Sequence, residues 1–369
     1  MKQIILFIMI LMIPIFENCS NQKISFEDND IQSVSFPLQT PVRTLVLGND
    51  RYDNSIDLKH EFDIGVNIGG MYENNKDWEV TYALAPELLD DVDGTSPWGI
   101  NTVTGEEAQL EVLPASYYEI VEGETNVTIP KGEFVGKIRI HLKDAFFQDE
   151  KAYKFNYVLP YKIISSTCPN IETGELSDAS IPNVNPLDPT LWKASKSPKD
   201  YTLFGIKYVN DWHGNYFVNG DQKVNNEAPT FFHSKDISSS SIVSLSTYGY
   251  RKVIYHRNGE YSNKGYYSIL EFSDPDKDGN GTINITKLDD EALYSTIVGT
   301  GKYYSFESDF AKTHGVWGID PKTDEGISHL TITLDYVTNL NSGDITACHD
   351  TLVIRDRNVR YEEFNIEYR

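Results

Sequence analysis

The chain has 369 residues and a formal net charge of −23, from 32 Lys and Arg against 55 Asp and Glu. Binding to phosphate backbones needs clustered cationic side chains, so this balance argues against nucleic acid or an anionic membrane face as partner. Aromatic residues make up 12% of the chain, with 23 Tyr, a composition that favours strands and supplies rings able to stack on sugars.

Residues 1–18 read as a signal peptide. Met1-Lys2 is followed by an apolar run from Ile4 to Phe16 and an early break at Glu17-Asn18-Cys19. The run is too short to span a bilayer, which takes about 20 residues. Cys19 at the break suggests a bacterial lipoprotein in which the signal is removed and Cys19 becomes an acylated N-terminus. Phe16-Glu17-Asn18 departs from the Leu and small residue usual before such a Cys; plain secretion is the alternative. Residues 19–31, with Glu27, Asp28 and Asp30, read as a flexible tether.

Residues 32–164 read as strands. Lys137–Lys143 alternates, with Ile138, Ile140 and Leu142 on one face and charges on the other; Glu61–Ile68 and Lys154–Leu159 alternate similarly. Turns at Glu122-Gly123 and Pro130-Lys131-Gly132 separate them, which suggests an antiparallel, immunoglobulin-like sandwich. A short helix is expected over Pro86–Asp91. Residues 165–199 carry Pro169, Pro182, Pro186, Pro189 and Pro198 among Ser, Asn and Asp, and read as a linker or a surface wrap. Residues 200–369 return to strands, with Leu330–Tyr336 and Gly281–Thr286 alternating. Strands without intervening helices suggest an all-β chain ending in an antiparallel β-barrel-like domain.

Three blocks in the first domain, Leu113–Ile120, Val127–Gly132 and Tyr157–Ile163, resemble in order and spacing an immunoglobulin-like N-terminal module of Bacteroidetes surface lipoproteins. In the second half, Lys199–Tyr208 and Asp211–Tyr216 are similar to the β-barrel module that follows it in a group of two-domain lipoproteins. The resemblance implies a lipid-anchored protein on the outer-membrane cell surface, encoded with a starch-utilisation-type (SusC/SusD-like) glycan importer. It implies polysaccharide or oligosaccharide as partner, and membrane contact through the lipid only. It transfers no catalytic set.

Asp274, Asp276 and Asp278 occupy alternate positions before Gly279, a spacing that lets three carboxylates converge on Ca2+. The twelfth loop position is Ile285 where an EF-hand needs Glu, so an acidic hairpin turn is the competing reading. No other cofactor is implied. Trp212 and Tyr216 stand at a strand end, where Trp212 is either core or a stacking surface. Trp98 sits in a loop-like Ser96-Pro97-Trp98-Gly99 with few apolar neighbours, which marks it as a ligand platform. Trp192 is expected to pin the linker and Trp317 to be core. Cys168 and Cys348 are left as either a disulfide or two thiols. The chain contains no G-x-S-x-G, no H-E-x-x-H and no P-loop, so no enzyme is expected. The sequence therefore points to non-catalytic glycan capture, with Trp98, Trp212 and Tyr216 as the sugar-contacting residues. A surface adhesin that binds another protein is the main alternative; an accessory domain pair of an enzyme is a third.

Overall fold

The computed structural model describes residues 31–50, 52–90, 92, 95–100, 107–182, 184–257, 265–289 and 291–364, with the backbone alone at 95–100 and 107–109. The expected signal peptide, Cys19 and nearly all of the tether lie outside the described residues. The chain is nearly all β, with 50% strand and 10% helix.

The first half is two facing sheets. One runs in the order Asn170–Ile171, Ser33–Ser35, Glu61–Gly69, Val135–Leu142, Tyr118–Glu122. The other runs Glu362–Glu363, Pro41–Val46, Tyr201–Val209, Tyr157–Ser166, Trp78–Leu84, Asn126–Ile129. Period-two alternation sets the register. Ile138 pairs with Ile64 and Ile140 with Phe62, all buried, while Arg139 opposite Asp63 bonds its carboxylate at 2.8 and 3.0 Å on the outer face. A one-residue slip would turn this apolar set to water, so burial fixes the pairing. Phe62, Ile64 and Ile138 from one sheet meet Val80, Leu159 and Tyr161 from the other in one core. The short helix expected after Ala85 is a 3-10 turn, Pro86–Leu89.

Two details differ from the expected sandwich. Its ladders are mixed: Pro41–Val46 pairs in parallel with Tyr201–Val209, and Ser33-Val34 with Asn170-Ile171. Tyr201–Val209, expected to open the barrel at residue 200, is an inner strand of the first half, hydrogen-bonded to Tyr157–Lys162 on one side. Its two faces are both covered. Ile206 and Tyr208 enter the sandwich core, while Tyr201 and Leu203 join a third cluster with Val42, Phe155 and Phe364. A strand buried on both faces reads as a continuous apolar run, which does not reveal the sheet it belongs to.

The segment before it folds back on itself. Ser177 N–H donates to Leu191 O at 2.9 Å, and Glu175 N–H to Lys196 O at 2.9 Å. Gly174 has φ +80°, and a Cβ there would meet the Trp192 ring at 2.8 Å, so Trp192 lies flat on this glycine as a clasp within the wrap.

The second half is a closed eight-stranded antiparallel barrel. Its strands are Gly214–Val224, Ser241–Gly249, Lys252–Arg257, Tyr266–Phe272, Gly281–Lys287, Tyr294–Tyr304, Thr331–Leu340 and Ile345–Asp356, the last closing on the first. Ile283, Ile285, Ile332 and Leu334 point inward, as their alternation predicts. Closure leaves no free edge among these strands. Cys168 lies in the sandwich core and Cys348 in the barrel core, both as free thiols.

Candidate functional site

Where one end of the barrel meets the loop after Pro41–Val46, a cavity of about 810 Å³ opens. Separated stretches line it, within 48–50, 211–212, 250–251, 275–279, 303–306, 317–319, 327–330 and 354–357. That volume falls in the range of small-molecule sites.

Arg357, at the end of the last barrel strand, builds the back of the cavity. Its guanidinium donates to Asn49 O at 2.8 and 3.0 Å, to His213 O at 3.2 Å and to Asp211 O. One cation thus ties the sandwich loop to the barrel. Gly48 lets the loop come this close, since a Cβ there would strike the guanidinium at 2.3 Å.

Asp211 presents the polar centre. Among the described residues no other side chain forms a hydrogen bond or an ion pair with its carboxylate, and the residue is exposed to the cavity. Desolvation raises its pKa, opposed by Arg357 and Arg251. Two further carboxylates line the cavity, Asp50 and Asp356, and Asp356 already accepts from Asn215 Nδ2 and Asn358 N–H, both at 2.9 Å. Asp211 is an acceptor that no neighbouring side chain takes up, and it faces the cavity. Arg251 is held by an ion pair with Asp274 and donates to Ser273 O at 2.9 Å.

Aromatic and aliphatic side chains form the walls. Trp317 stacks on His329 at 4.3 Å and 14°, and its indole N–H donates to Ile354 O at 2.9 Å. His329 Nε2 lies 3.1 Å from Trp317 O, and burial holds its pKa below the ordinary imidazole value. Trp317 lies on a ribbon, Val316–Ile319 paired with Gly326–Ser328, that lines the cavity, and His329 directly follows its second strand. Phe306, Ile319 and Ile327 are exposed at its rim. The arrangement offers ring and aliphatic faces around an open carboxylate, a combination suited to a guest with apolar faces and hydroxyl edges.

The residues picked out from the sequence fall differently. Trp212 is 5% exposed, stacks on Phe272 at 4.0 Å and meets Tyr303 edge-on at 5.4 Å; it only touches the cavity wall. Tyr216 is fully buried, its hydroxyl donating to Trp212 O at 2.8 Å. Neither ring offers a face to a sugar, because the barrel closes over both. Trp98 lies on the strand Thr95–Ile100, and its side chain is outside the described residues, as is Cys19. Asp276 accepts from the N–H groups of Asp278 and Asn280, both at 2.9 Å, and Asp274 is paired with Arg251. Among the described residues no three such groups are gathered for a metal, and the loop is built as a hydrogen-bonded turn. Trp317, expected as core, is a half-buried wall of the cavity. Phe306 was missed, although it stands between polar neighbours in Ser305-Phe306-Glu307-Ser308, the same signal that singled out Trp98.

A family model described only as a "-like, N-terminal domain" matches residues 26–170, and this part of the chain is similar to that family. No curated protein matches the chain. A crystal structure from Bacteroides ovatus, of unknown function, is 24% identical with a TM-score of 0.74, covering 92% of this chain and 100% of its own. The two share the fold. A second B. ovatus structure of unknown function is 15% identical, with a TM-score of 0.40 over 91% and 99% of the two chains. An auxiliary nutrient binding protein from Bacteroides thetaiotaomicron is also 15% identical, with a TM-score of 0.37 over 87% and 95%.

Proposed function

We propose that the protein is a non-catalytic binding protein that captures a glycan in the cavity between sandwich and barrel. The observation that carries the reading is the Asp211 carboxylate in a cavity whose lining also includes Phe306, Trp317 and Tyr250. Rings cover the apolar face of a sugar while a carboxylate accepts from its hydroxyls. The anchor at Cys19, a cell-surface location on the outer membrane and a SusC/SusD-like importer as recipient complete the proposal. They rest on the N-terminal pattern and the resemblance of the sequence blocks. Tethering would raise the local concentration of weakly held glycan near the importer.

The test is retention on a panel of immobilised neutral polysaccharides. Stacking of a base on a protein ring contributes about 1–3 kcal/mol, and a sugar should gain no more. Phe306→Ala and Asp211→Asn, both exposed, should each weaken binding about tenfold with unchanged circular dichroism. A wild-type protein retained by nothing on the panel would end the glycan reading. For the anchor, Cys19→Ala should move the protein from the membrane to the soluble fraction; unchanged fractionation, with no fatty-acid label on wild type, would end that part.

A further inference from the structure

The outer face of the barrel carries a second concavity, of about 830 Å³. Side chains alternate across each strand, so the neighbours of the inward Ile283, Leu334, Cys348 and Leu352 face out. Register aligns these outward residues in two rows that cross five strands. The first row is Asn284, Thr300, Asp335, His349, Asp221. The second is Thr282, Lys302, Thr333, Thr351, Asn219. With strands about 4.8 Å apart, each row is about 19 Å long.

A solvated barrel face commonly shows Thr and Lys. This one is concave and ends at a wall of rings. Tyr304 stacks on Phe310 at 4.1 Å, and Phe310 on His314 at 4.3 Å, where the short helix Asp309–His314 rises beside the groove. The rows carry two carboxylates, Asp335 and Asp221, and one ammonium, Lys302, so neither sign accumulates. Asp335 is bonded to His349 Nδ1, and Lys302, which forms no ion pair among the described residues, lies beside them. Neither a polyanion nor a polycation would find a complementary surface here. The rows hold amide, hydroxyl, ammonium and carboxylate groups and no large apolar side chain, which disfavours docking of a protein through an apolar patch. What matches is a neutral, hydroxyl-rich chain lying across the strands.

We propose that this face is a second glycan-binding surface, on which an extended neutral polysaccharide crosses the two rows with one sugar unit against the Tyr304 ring. The proposal rests on the glycan reading of the cavity and adds a subsite that favours long chains over short ones. Its test compares wild type, the cavity variant Phe306→Ala, the outer-face double variant Asn284→Ala/Lys302→Ala and the single variant Tyr304→Ala. Each is measured against a retained polysaccharide and a short oligosaccharide of the same sugar, with thermal melts as folding control. The double variant should lose at least threefold in polysaccharide affinity and keep its oligosaccharide affinity; Tyr304→Ala should do the same if its melt is unchanged. Phe306→Ala should lose both. If the cavity variant loses binding and the folded outer-face double variant binds both ligands like wild type, the second surface is overturned while the cavity reading stands. If wild type binds no polysaccharide, both fall.

Discussion

At the scale of single residues, burial decides which aromatic rings can meet a ligand. Trp212 and Tyr216 have the composition of a sugar site and the environment of a core. Removing a large core side chain costs about 3–5 kcal/mol. Trp212→Ala should therefore shift the urea midpoint sharply, with any loss of binding following the loss of fold; a stable variant that no longer binds would reverse the assignment. The barrel interior holds a second residue-level case. Asp350, 2% exposed, accepts from the hydroxyls of Tyr255 and Tyr336 at 2.8 and 2.7 Å and faces Arg257 at 3.3 Å. Burial raises the Asp350 pKa, and Arg257 is the chief opposing influence. Removing one partner of a buried ion pair typically costs about 3–5 kcal/mol near neutral pH. In Arg257→Leu the Asp350 pKa should rise further. A carboxylate whose folded pKa lies above its unfolded value favours folding at low pH, and that contribution is lost as pH rises through the folded pKa. The stability deficit of Arg257→Leu should accordingly be smallest near pH 4 and grow toward pH 8 in urea titrations. A deficit independent of pH would mean that Asp350 does not titrate with its partner.

At the scale of elements, alternation was legible and partnership was not. Glu61–Gly69, Val135–Leu142 and Thr331–Leu340 each have one buried face, and their sequences predict which one. Tyr201–Val209 is covered on both sides, so its sequence carried no signal of its sheet, and the domain boundary drawn at residue 200 cut through the sandwich. The cavity was illegible for a related reason: its lining comes from separated stretches that only the closed barrel and the Arg357 tie bring together. The placement of Tyr201–Val209 changes what proteolysis should show. The wrap around Asp178–Ser180 is exposed and should be cut first. The downstream fragment keeps Tyr201–Val209, whose ladders run to both Tyr157–Lys162 and Pro41–Val46. Nicked protein should therefore elute as one species by gel filtration and separate only in denaturant. Reduction should make no difference, because Cys168 and Cys348 are unpaired. Two fragments parting under native conditions would contradict the shared sheet.

At the scale of the whole molecule, the charge that argued against nucleic acid also sets what a ligand can be. A chain at −23 repels polyanions at long range, and two of the cations at the cavity are already engaged, Arg357 with backbone carbonyls and Arg251 with Asp274. Binding through stacking and hydrogen bonds to an uncharged glycan involves little counterion release. Screening at higher salt should then leave it nearly unchanged, since the Debye length shortens from about 10 Å at 0.1 M toward 3 Å at 1 M without touching the contacts themselves. Retention of a neutral polysaccharide should vary less than about twofold between 50 mM and 500 mM NaCl. A sulfated polymer of the same backbone should be excluded at low salt, where repulsion reaches farthest. Affinity that falls steeply with salt would instead mean that the guest is charged, and that Asp211 pairs with a cation rather than accepting from a hydroxyl.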